Sequence, residues 1–314
     1  MAGKIEQKLD WVRGLRELSQ EEALLSLRKA LDDKNNLVVS KAAAVVELRG
    51  LHELVPDMCS AFSRWFGEGD GHCWAKNALA KAMLALEVSD SDLWRRGLRH
   101  VQMEGSYGGS VDVAVALRAT SAIALATCTR MPPIAVLNLL AERLMDAEAG
   151  VRLETARAVG MLNAPEGEPV LRLKVFAGDD DPRVIGACFD SLISLRALDF
   201  VAARLREGDD DVRMEAAAAL GGSRDDAAFA ALKGCYEGCA ERRMRKALLL
   251  AIGASRNEAA LTYLIGMIEP GATAVLEALA HNRYHDETRR RIEEAVVATR
   301  SEALLRVFRK EFEE

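Results

Sequence analysis

The sequence predicts an all-α fold, a right-handed α-solenoid superhelix of about eight stacked antiparallel helical hairpins. Composition is the first observation behind this fold class. Half of the 314 residues are hydrophobic but only 5% are aromatic, so the core must be built mainly from Ala, Leu, Val and Ile. Runs of Ala, Leu, Arg and Glu are frequent, whereas alternating β-branched and polar residues are rare, which argues against an extended sheet.

A repeated segment with a period of about 31 residues is the second observation. Each copy contains an apolar residue, an Arg, several small residues, and an apolar residue followed by Gly or its substitute. The four aligned copies cover 151–160, 183–192, 212–221 and 245–253. An amphipathic segment precedes each copy, over 134–145, 169–177, 199–206 and 227–236. Gly and Asp residues between the paired segments supply a helix stop and an N-cap, so each pair is predicted to form a hairpin.

The recurring basic and acidic positions carry a family resemblance. An Arg opens the second helix at Arg118, Arg152, Arg183 and Arg213, and an Asp stands six positions earlier at Asp112 and Asp146. In these positions the sequence resembles HEAT repeats, especially the short variety named after phycobilisome lyases. The resemblance covers residues 20–282 and is clearest over 132–255. It implies that these Arg and Asp side chains pair between neighbouring units as a stabilising ladder.

The remaining segments complete the predicted stack. Three hairpins with longer spacing precede the regular repeats, pairing 21–31 with 38–48, 54–65 with 73–86, and 92–103 with 111–127. An eighth hairpin pairs 258–268 with 272–280, and charged helices over 286–299 and 302–312 cap the end. We therefore expect one HEAT-like repeat domain over 1–314, with irregular repeats over 20–130, regular repeats over 132–255, and a final hairpin with capping helices over 256–314.

Charge and hydropathy restrict the partners. The net charge of −6 argues against a dedicated nucleic-acid binder, although a local basic patch is compatible with it. The chain begins without a signal-peptide core and contains no apolar stretch long enough for a membrane helix. The expectation is a cytoplasmic protein with neither membrane nor nucleic-acid partner. Its six scattered cysteines are expected to be free core thiols.

No motif for chemistry stands out. The sequence lacks a Gly-x-Ser-x-Gly elbow, a Walker lysine motif and a four-ligand zinc pattern. His281 and His285 are four residues apart and could share a helical face, but one such pair is a weak metal motif. His52-Glu53 is a single pair, too few for the diiron hydroxylases among HEAT-like proteins. We predict no catalytic residue, no cofactor and no metal.

The strongest interruption of the repeat covers 94–112. Its segment 104–110 is predicted to be a loop with three glycines and Tyr107, and it follows a helix rich in Arg. An aromatic anchor beside cations is typical of an interaction hot spot. The candidate partner-binding residues are Trp94, Arg95, Arg96, Arg99, His100, Tyr107 and Arg118. The alternative is a loop that only joins two helices. A second irregular stretch, 65–74, places Trp65 and Trp74 among glycines, where both are expected to fill space.

These observations favour a non-enzymatic scaffold or adaptor that binds a protein partner on a concave face lined by second helices. Two alternatives remain: a HEAT-like enzyme or accessory lyase acting on a modified protein, and a nucleic-acid binder similar to DNA-repair glycosylases. An anionic partner requires several arginines to converge in one groove, and their dispersal into salt bridges would contradict it. The arginines in question are Arg95, Arg96, Arg99, Arg118, Arg152 and Arg183.

Overall fold

The computed structural model describes residues 2–312, over which the chain forms nineteen α-helices and one two-stranded sheet. The chain divides after Ala164 into two compact units, called unit 1 and unit 2. In both units, consecutive helices pair as hairpins and the second helices of successive hairpins lie side by side. The predicted all-α fold class is therefore confirmed, while a single domain over 1–314 stays a prediction.

Unit 1 contains four helical hairpins and a leading helix. Its elements are α1 (Ala2–Gly14), α2 (Gln20–Leu31), α3 (Asn36–Arg49), α4 (Val55–Arg64), α5 (Trp74–Ala85), α6 (Ser91–Leu98), β1 (Met103–Ser106), β2 (Gly109–Asp112), α7 (Val115–Thr127), α8 (Pro133–Arg143) and α9 (Ala149–Met161). Helices α3, α5, α7 and α9 form one row, and α1, which the sequence patterns did not predict, packs on α3.

Unit 2 contains four hairpins and the two terminal helices. Its elements are α10 (Gly167–Ala177), α11 (Pro182–Ser194), α12 (Leu198–Glu207), α13 (Asp210–Gly222), α14 (Asp226–Gly238), α15 (Arg242–Ala254), α16 (Glu258–Gly266), α17 (Thr273–Leu279), α18 (Asp286–Ala298) and α19 (Glu302–Phe312). Helices α11, α13, α15, α17 and α19 form the row of second helices. The eight hairpins and the terminal helices agree with the predicted number and order.

Recurring glycines allow the second helices of unit 2 to approach closely. A Cβ atom added at Gly221 of α13 would lie 2.6 Å from the carbonyl oxygen of Ala251 on α15. One added at Gly253 of α15 would collide with the carbonyl of Ala278 on α17. The Gly position of the repeat therefore has a packing role, because a larger residue would force the helix backbones apart.

Several helices of the regular repeats end at Gly or begin at an Asp cap, as predicted. Gly178 ends α10 with a φ of 75°, a conformation that glycine favours. Asp181 and Asp209 accept hydrogen bonds from the backbone N–H groups of Arg183 and Val212, and so cap α11 and α13. Asp181 and Asp209 are therefore structural caps.

The third hairpin departs from its prediction. The helix expected over 92–103 ends at Leu98, and the predicted loop 104–110 lies within an antiparallel β-hairpin. Met103 belongs to a strand, since the chain leaves the helix and runs extended into β1. This β-hairpin inserts between the two helices of the α6–α7 pair.

Candidate interaction site at the β-hairpin

The β-hairpin presents its turn fully to solvent. Its register pairs Met103 with Asp112 and Ser106 with Gly109, which leaves Tyr107 and Gly108 as the turn. Gly108 has a φ of 93°, which a residue with a side chain adopts only with strain. The Tyr107 side chain at the tip is fully exposed.

Apolar side chains are exposed on the strands of the hairpin and just before β1. Val101 and Met103 are 55% and 57% exposed, and Val111 is about half exposed. Because cross-strand partners share a face, Met103 lies on the face of Asp112, and Val111 lies on the opposite face with Glu104. The hairpin therefore offers apolar contacts on both faces as well as at its tip.

Hydrogen bonds fix the base of the hairpin to α7 and to the turn before α5. Asp112 accepts a hydrogen bond from the backbone N–H of Gln102 at 3.1 Å and one from Arg118 Nη1 at 2.6 Å. The Gln102 side-chain amide donates to Glu104 Oε1 at 2.7 Å and to the carbonyl oxygen of Asp70 at 2.6 Å. The hairpin is thus held in one orientation at its base, while its tip extends into solvent.

A buried lysine supports the same base. Lys76 is only 2% exposed, and its Nζ donates to Gln102 Oε1 at 2.5 Å and lies 2.9 Å from His100 Nε2. It also lies 5.5 Å from the centre of the Phe66 ring, a cation–π arrangement. Burial, followed by the charge of Lys76, lowers the pKa of His100, so its ring is neutral and can accept a hydrogen bond from the ammonium group.

The turn before α5 has a constrained backbone. His72 and Cys73 both have positive φ values, 57° and 54°, which are uncommon for residues with side chains. The Asp70 carboxylate stabilises the turn by accepting hydrogen bonds from the backbone N–H groups of Ala75 and Lys76. This geometry brings the His72 N–H to Glu104 Oε1 at 2.8 Å, so the turn contacts the hairpin directly.

Two of the seven predicted partner-binding residues are structural. Trp94 is completely buried and donates its indole N–H to the carbonyl oxygen of Val88 at 2.8 Å. Arg118 is 2% exposed and bound to the carboxylates of Asp112 and Asp146. Their assignment to a binding surface is wrong, because each side chain satisfies its polar atoms inside unit 1 and has no surface left for a partner.

Of the other five predicted residues, Tyr107 forms the tip of the β-hairpin, and Arg95, Arg96, Arg99 and His100 lie in α6 or directly after it. Arg96 lies 4.2 Å from the centre of the Phe66 ring, and that ring contacts the His100 ring. Arg95 is 3.7 Å from Asp92 in its own helix, and Arg99 is exposed. The six arginines whose convergence would have favoured an anionic partner at this surface do not form one cationic groove. Besides Arg118, Arg152 donates to the carbonyl oxygens of Asp146 and Ala147, and Arg183 pairs with Asp181.

The tryptophans of 65–74 have different environments. Trp65 is buried, as expected for a space-filling residue. Trp74 is 42% exposed and its ring contacts that of His72, with 4.9 Å between centroids, so the expectation that both fill space is wrong for Trp74. Because His72 Nδ1 lies 3.4 Å from Glu104 Oε2, Trp74 borders the hairpin. We define the hairpin surface as Val101, Met103, Tyr107 and Val111 together with Trp74 and Arg96.

Within residues 2–312, no group of three or more His, Cys, Asp or Glu side chains is arranged to hold a metal ion. His281 lies in a 3-10 helix, Ala280–Asn282, whereas His285 precedes α18, so the two imidazoles do not share a helical face. All six cysteines are free, and burial raises the pKa of Cys73 and Cys188 to about 12. Over the same described range, every helix is too short or too polar to cross a bilayer.

Comparison with known proteins finds a family model that matches part of the chain. The model of the PBS lyase HEAT-like repeat matches residues 212–238, which form most of α13 and all of α14. The resemblance to this type of repeat is confirmed. No curated protein matches the sequence.

Several solved structures match the chain at low identity. YibA of Escherichia coli is 17% identical with a TM-score of 0.45, and the match covers 87% of this chain and 95% of that chain. The CpcE–CpcF complex of phycocyanin lyase from Nostoc sp. PCC7120 is 16% identical with a TM-score of 0.38, covering 72% and 89%. Human deoxyhypusine hydroxylase is 17% identical with a TM-score of 0.30, covering 77% and 88%.

Proposed function

We propose, from the HEAT-like repeat that this chain contains, that the protein is a non-enzymatic adaptor that binds a protein partner through the hairpin surface. The observation that supports this is the fully exposed Tyr107 at the tip of a hairpin fixed at its base. Tyrosine is enriched in interface hot spots because it buries a large area and loses few rotamers on binding.

The fixed base favours binding, because a preorganised element loses less conformational entropy when a partner docks. Hydrogen bonds to Gln102, Glu104 and Asp112 hold the hairpin before any partner arrives. Within the described residues, β1 and β2 pair only with each other, so each strand has an unpaired outer edge. An extended segment of a partner can add to such an edge by main-chain hydrogen bonds while Met103 or Val111 contacts its side chains.

The titratable side chains near the β-hairpin are better explained as groups that hold it in place than as catalytic groups. Lys76 is enclosed by Gln102, His100 and Phe66, which leaves its ammonium group without access to an external substrate. Glu104 is engaged by Gln102 and His72. A buried polar network whose members satisfy each other fixes a conformation. We therefore assign this network a positioning role.

Affinity capture from native cells tests the adaptor function. The wild-type protein is compared with a Tyr107→Ala, Met103→Ala double variant and with Leu25→Ala, which removes an exposed apolar side chain from α2. We expect the double variant to lose at least ~90% of the captured partner, since two central apolar anchors contribute more than a tenfold change in affinity. Leu25→Ala should capture the same amount as the wild type. Equal capture by all three proteins would reject the hairpin as the binding element.

A further inference from the structure

A groove on unit 2 lies along α13, α15 and α17. Its volume is about 880 Å³, which is in the range of ligand-binding clefts. Its floor is apolar and includes the side chains of Met214, Ala247, Leu250 and Ala274. A second cavity of about 360 Å³ shares Met214, Ala247 and Leu250 and reaches Ala254, so the groove continues along α15.

The lining of the groove is cationic although the chain has a net charge of −6. Among the described residues, four cations border the larger cavity, Arg242, Arg243, Arg245 and Lys246, against one carboxylate, that of Glu277. The smaller cavity adds the carboxylate of Glu215, so the cations still outnumber the acids four to two. An excess of positive charge beside an apolar floor attracts a ligand that combines carboxylates with apolar groups.

Two of these cations already have protein partners. Arg245 Nη1 donates to the carbonyl oxygens of Tyr236 at 3.0 Å and Cys239 at 2.9 Å. Lys246 Nζ lies 2.9 Å from a carboxylate oxygen of Glu277. Arg242 and Arg243 are exposed, and neither side chain has a hydrogen bond or ion pair with the described residues. Their guanidinium groups are therefore available to a ligand.

The position of Arg242 and Arg243 does not stabilise the helix that contains them. They lie in the first turn of α15, where the helix dipole is positive and acidic residues are preferred. The equivalent first turn of α13 contains Asp210 and Asp211 behind an Asp cap, whereas α15 has no acidic residue there and Glu241 forms no side-chain cap. The first turn without a side-chain cap and the two exposed guanidiniums beside the groove point to an anionic group from outside the chain.

We infer that this groove binds an acidic segment of a partner protein, with carboxylates paired to Arg242 and Arg243 and apolar side chains on Ala247 and Leu250. Guanidinium groups suit this role because they bind carboxylates in a bidentate manner. This inference rests on the proposed function in one respect, namely that the chain binds a protein partner. The groove belongs to unit 2 and shares no residue with the hairpin surface, so each site can be tested without the other.

A nucleic acid fits this groove less well. Its phosphates need a longer track of cations, and its bases need open aromatic faces for stacking. Among the described residues that line the larger cavity, Tyr236 is the only aromatic one, and the Arg245 guanidinium covers its ring at 4.1 Å. The apolar floor instead matches leucine-like side chains.

Fluorescence anisotropy with the full chain tests the inference. The probe is a fluorescein-labelled peptide of five Glu-Glu-Leu repeats, and its matched control carries Gln in place of every Glu. An Arg242→Gln, Arg243→Gln variant should bind the acidic peptide about tenfold more weakly than the wild type, because two charge pairs are lost. The matched control variant is Arg224→Gln, Arg256→Gln, which removes the same charge from two exposed side chains outside the groove. It should bind like the wild type.

An Ala247→Leu variant fills the floor without changing charge, and it should also weaken binding while keeping the wild-type melting temperature. Any of four results would overturn the inference: no binding of the acidic peptide, equal binding by the wild type and Arg242→Gln, Arg243→Gln, equal binding of the Gln peptide, or tighter binding of an oligothymidylate of equal charge. None of them would alter partner capture through Tyr107, so failure of the groove is distinguishable from failure of the adaptor function.

Discussion

At the scale of single residues, Arg118 is a buried cation that pairs with two buried carboxylates. Its guanidinium is buried between Asp112 and Asp146, with Nη1 2.6 Å from the first carboxylate and Nη2 3.0 Å from the second. Burial alone would raise the pKa of Asp112, but hydrogen bonds from the Ala114 N–H, Arg118 and the Gln102 N–H outweigh it and hold that pKa below its ordinary value. The charged forms are therefore the ones that the fold requires.

Replacing Arg118 by Ala should destabilise the protein by about 3–5 kcal/mol, because two carboxylates would remain buried without their cation. Urea unfolding at pH 7, followed by circular dichroism, measures this change. The control is Arg157→Ala, which removes an exposed ion pair with Glu154 and should cost at most about 0.5 kcal/mol. Similar losses in the two variants would contradict the structural role of Arg118.

At the scale of elements, the imidazole of His100 lies at the base of the β-hairpin, with Nε2 3.3 Å from Gln102 Oε1. Folding lowers the pKa of His100 from its ordinary value of 6.5 through burial and the nearby Lys76. The folded state then favours the neutral ring. The stabilisation that comes from the neutral His100 ring is fully present above pH 6.5. It is lost as the pH falls through the lower pKa that His100 has in the folded state. A protonated His100 would place a second cation beside Lys76 Nζ.

We therefore expect the amides of residues 102–112 to be less protected from hydrogen exchange at pH 5.5 than at pH 7.5, after correction for intrinsic rates. His100→Gln, which cannot gain a proton, should remove most of this difference. The amides of α13 provide an internal reference that should not change. Equal protection of the hairpin at both pH values would show that His100 does not control it.

The sequence anticipated some of these elements and not others, for physical reasons. Caps such as Asp181 and Asp209 and packing residues such as Gly221 are local signals with a fixed spacing, so the hairpins from residue 132 onward could be predicted. The β-hairpin could not, because its strands contain Gly and Ser and only one β-branched residue, Val111. Tyr107 was selected as a candidate from its setting among glycines, and its side chain is fully exposed, while its role in binding stays a prediction.

The side-chain environments within the site were less predictable. An Arg or Trp beside a loop has the same sequence signature whether it points to solvent or into the core, so Trp94 and Arg118 were misassigned. The residues next to Lys76 in the sequence do not indicate that it is buried. Its partners His100 and Gln102 lie in the following helical hairpin, between α6 and α7. The cationic groove was missed because Arg242 and Arg243 are distinguished only by lacking partners, which requires the folded structure.

At the scale of the whole molecule, a repeat chain is stabilised mainly by contacts between adjacent hairpins. Hydrogen exchange can therefore resolve unit 1 and unit 2 as separate cooperative regions. In the Arg118→Ala variant, we expect lower protection in α7 and its neighbours while α13, α15 and α17 keep wild-type protection. Mass spectrometry of exchanged peptides measures this directly. Uniform loss of protection across residues 2–312 would instead indicate one cooperative domain.

The open strand edges of the β-hairpin also affect how the free protein behaves in concentrated solution. Two hairpins from different molecules can pair along these edges, since an unpaired strand offers the same donors and acceptors to any extended chain. Mutual repulsion between molecules of net charge −6 opposes this association. Near the isoelectric point of about 5.6 that repulsion disappears, so colloidal stability is poorest there and improves in mildly alkaline, low-salt buffer.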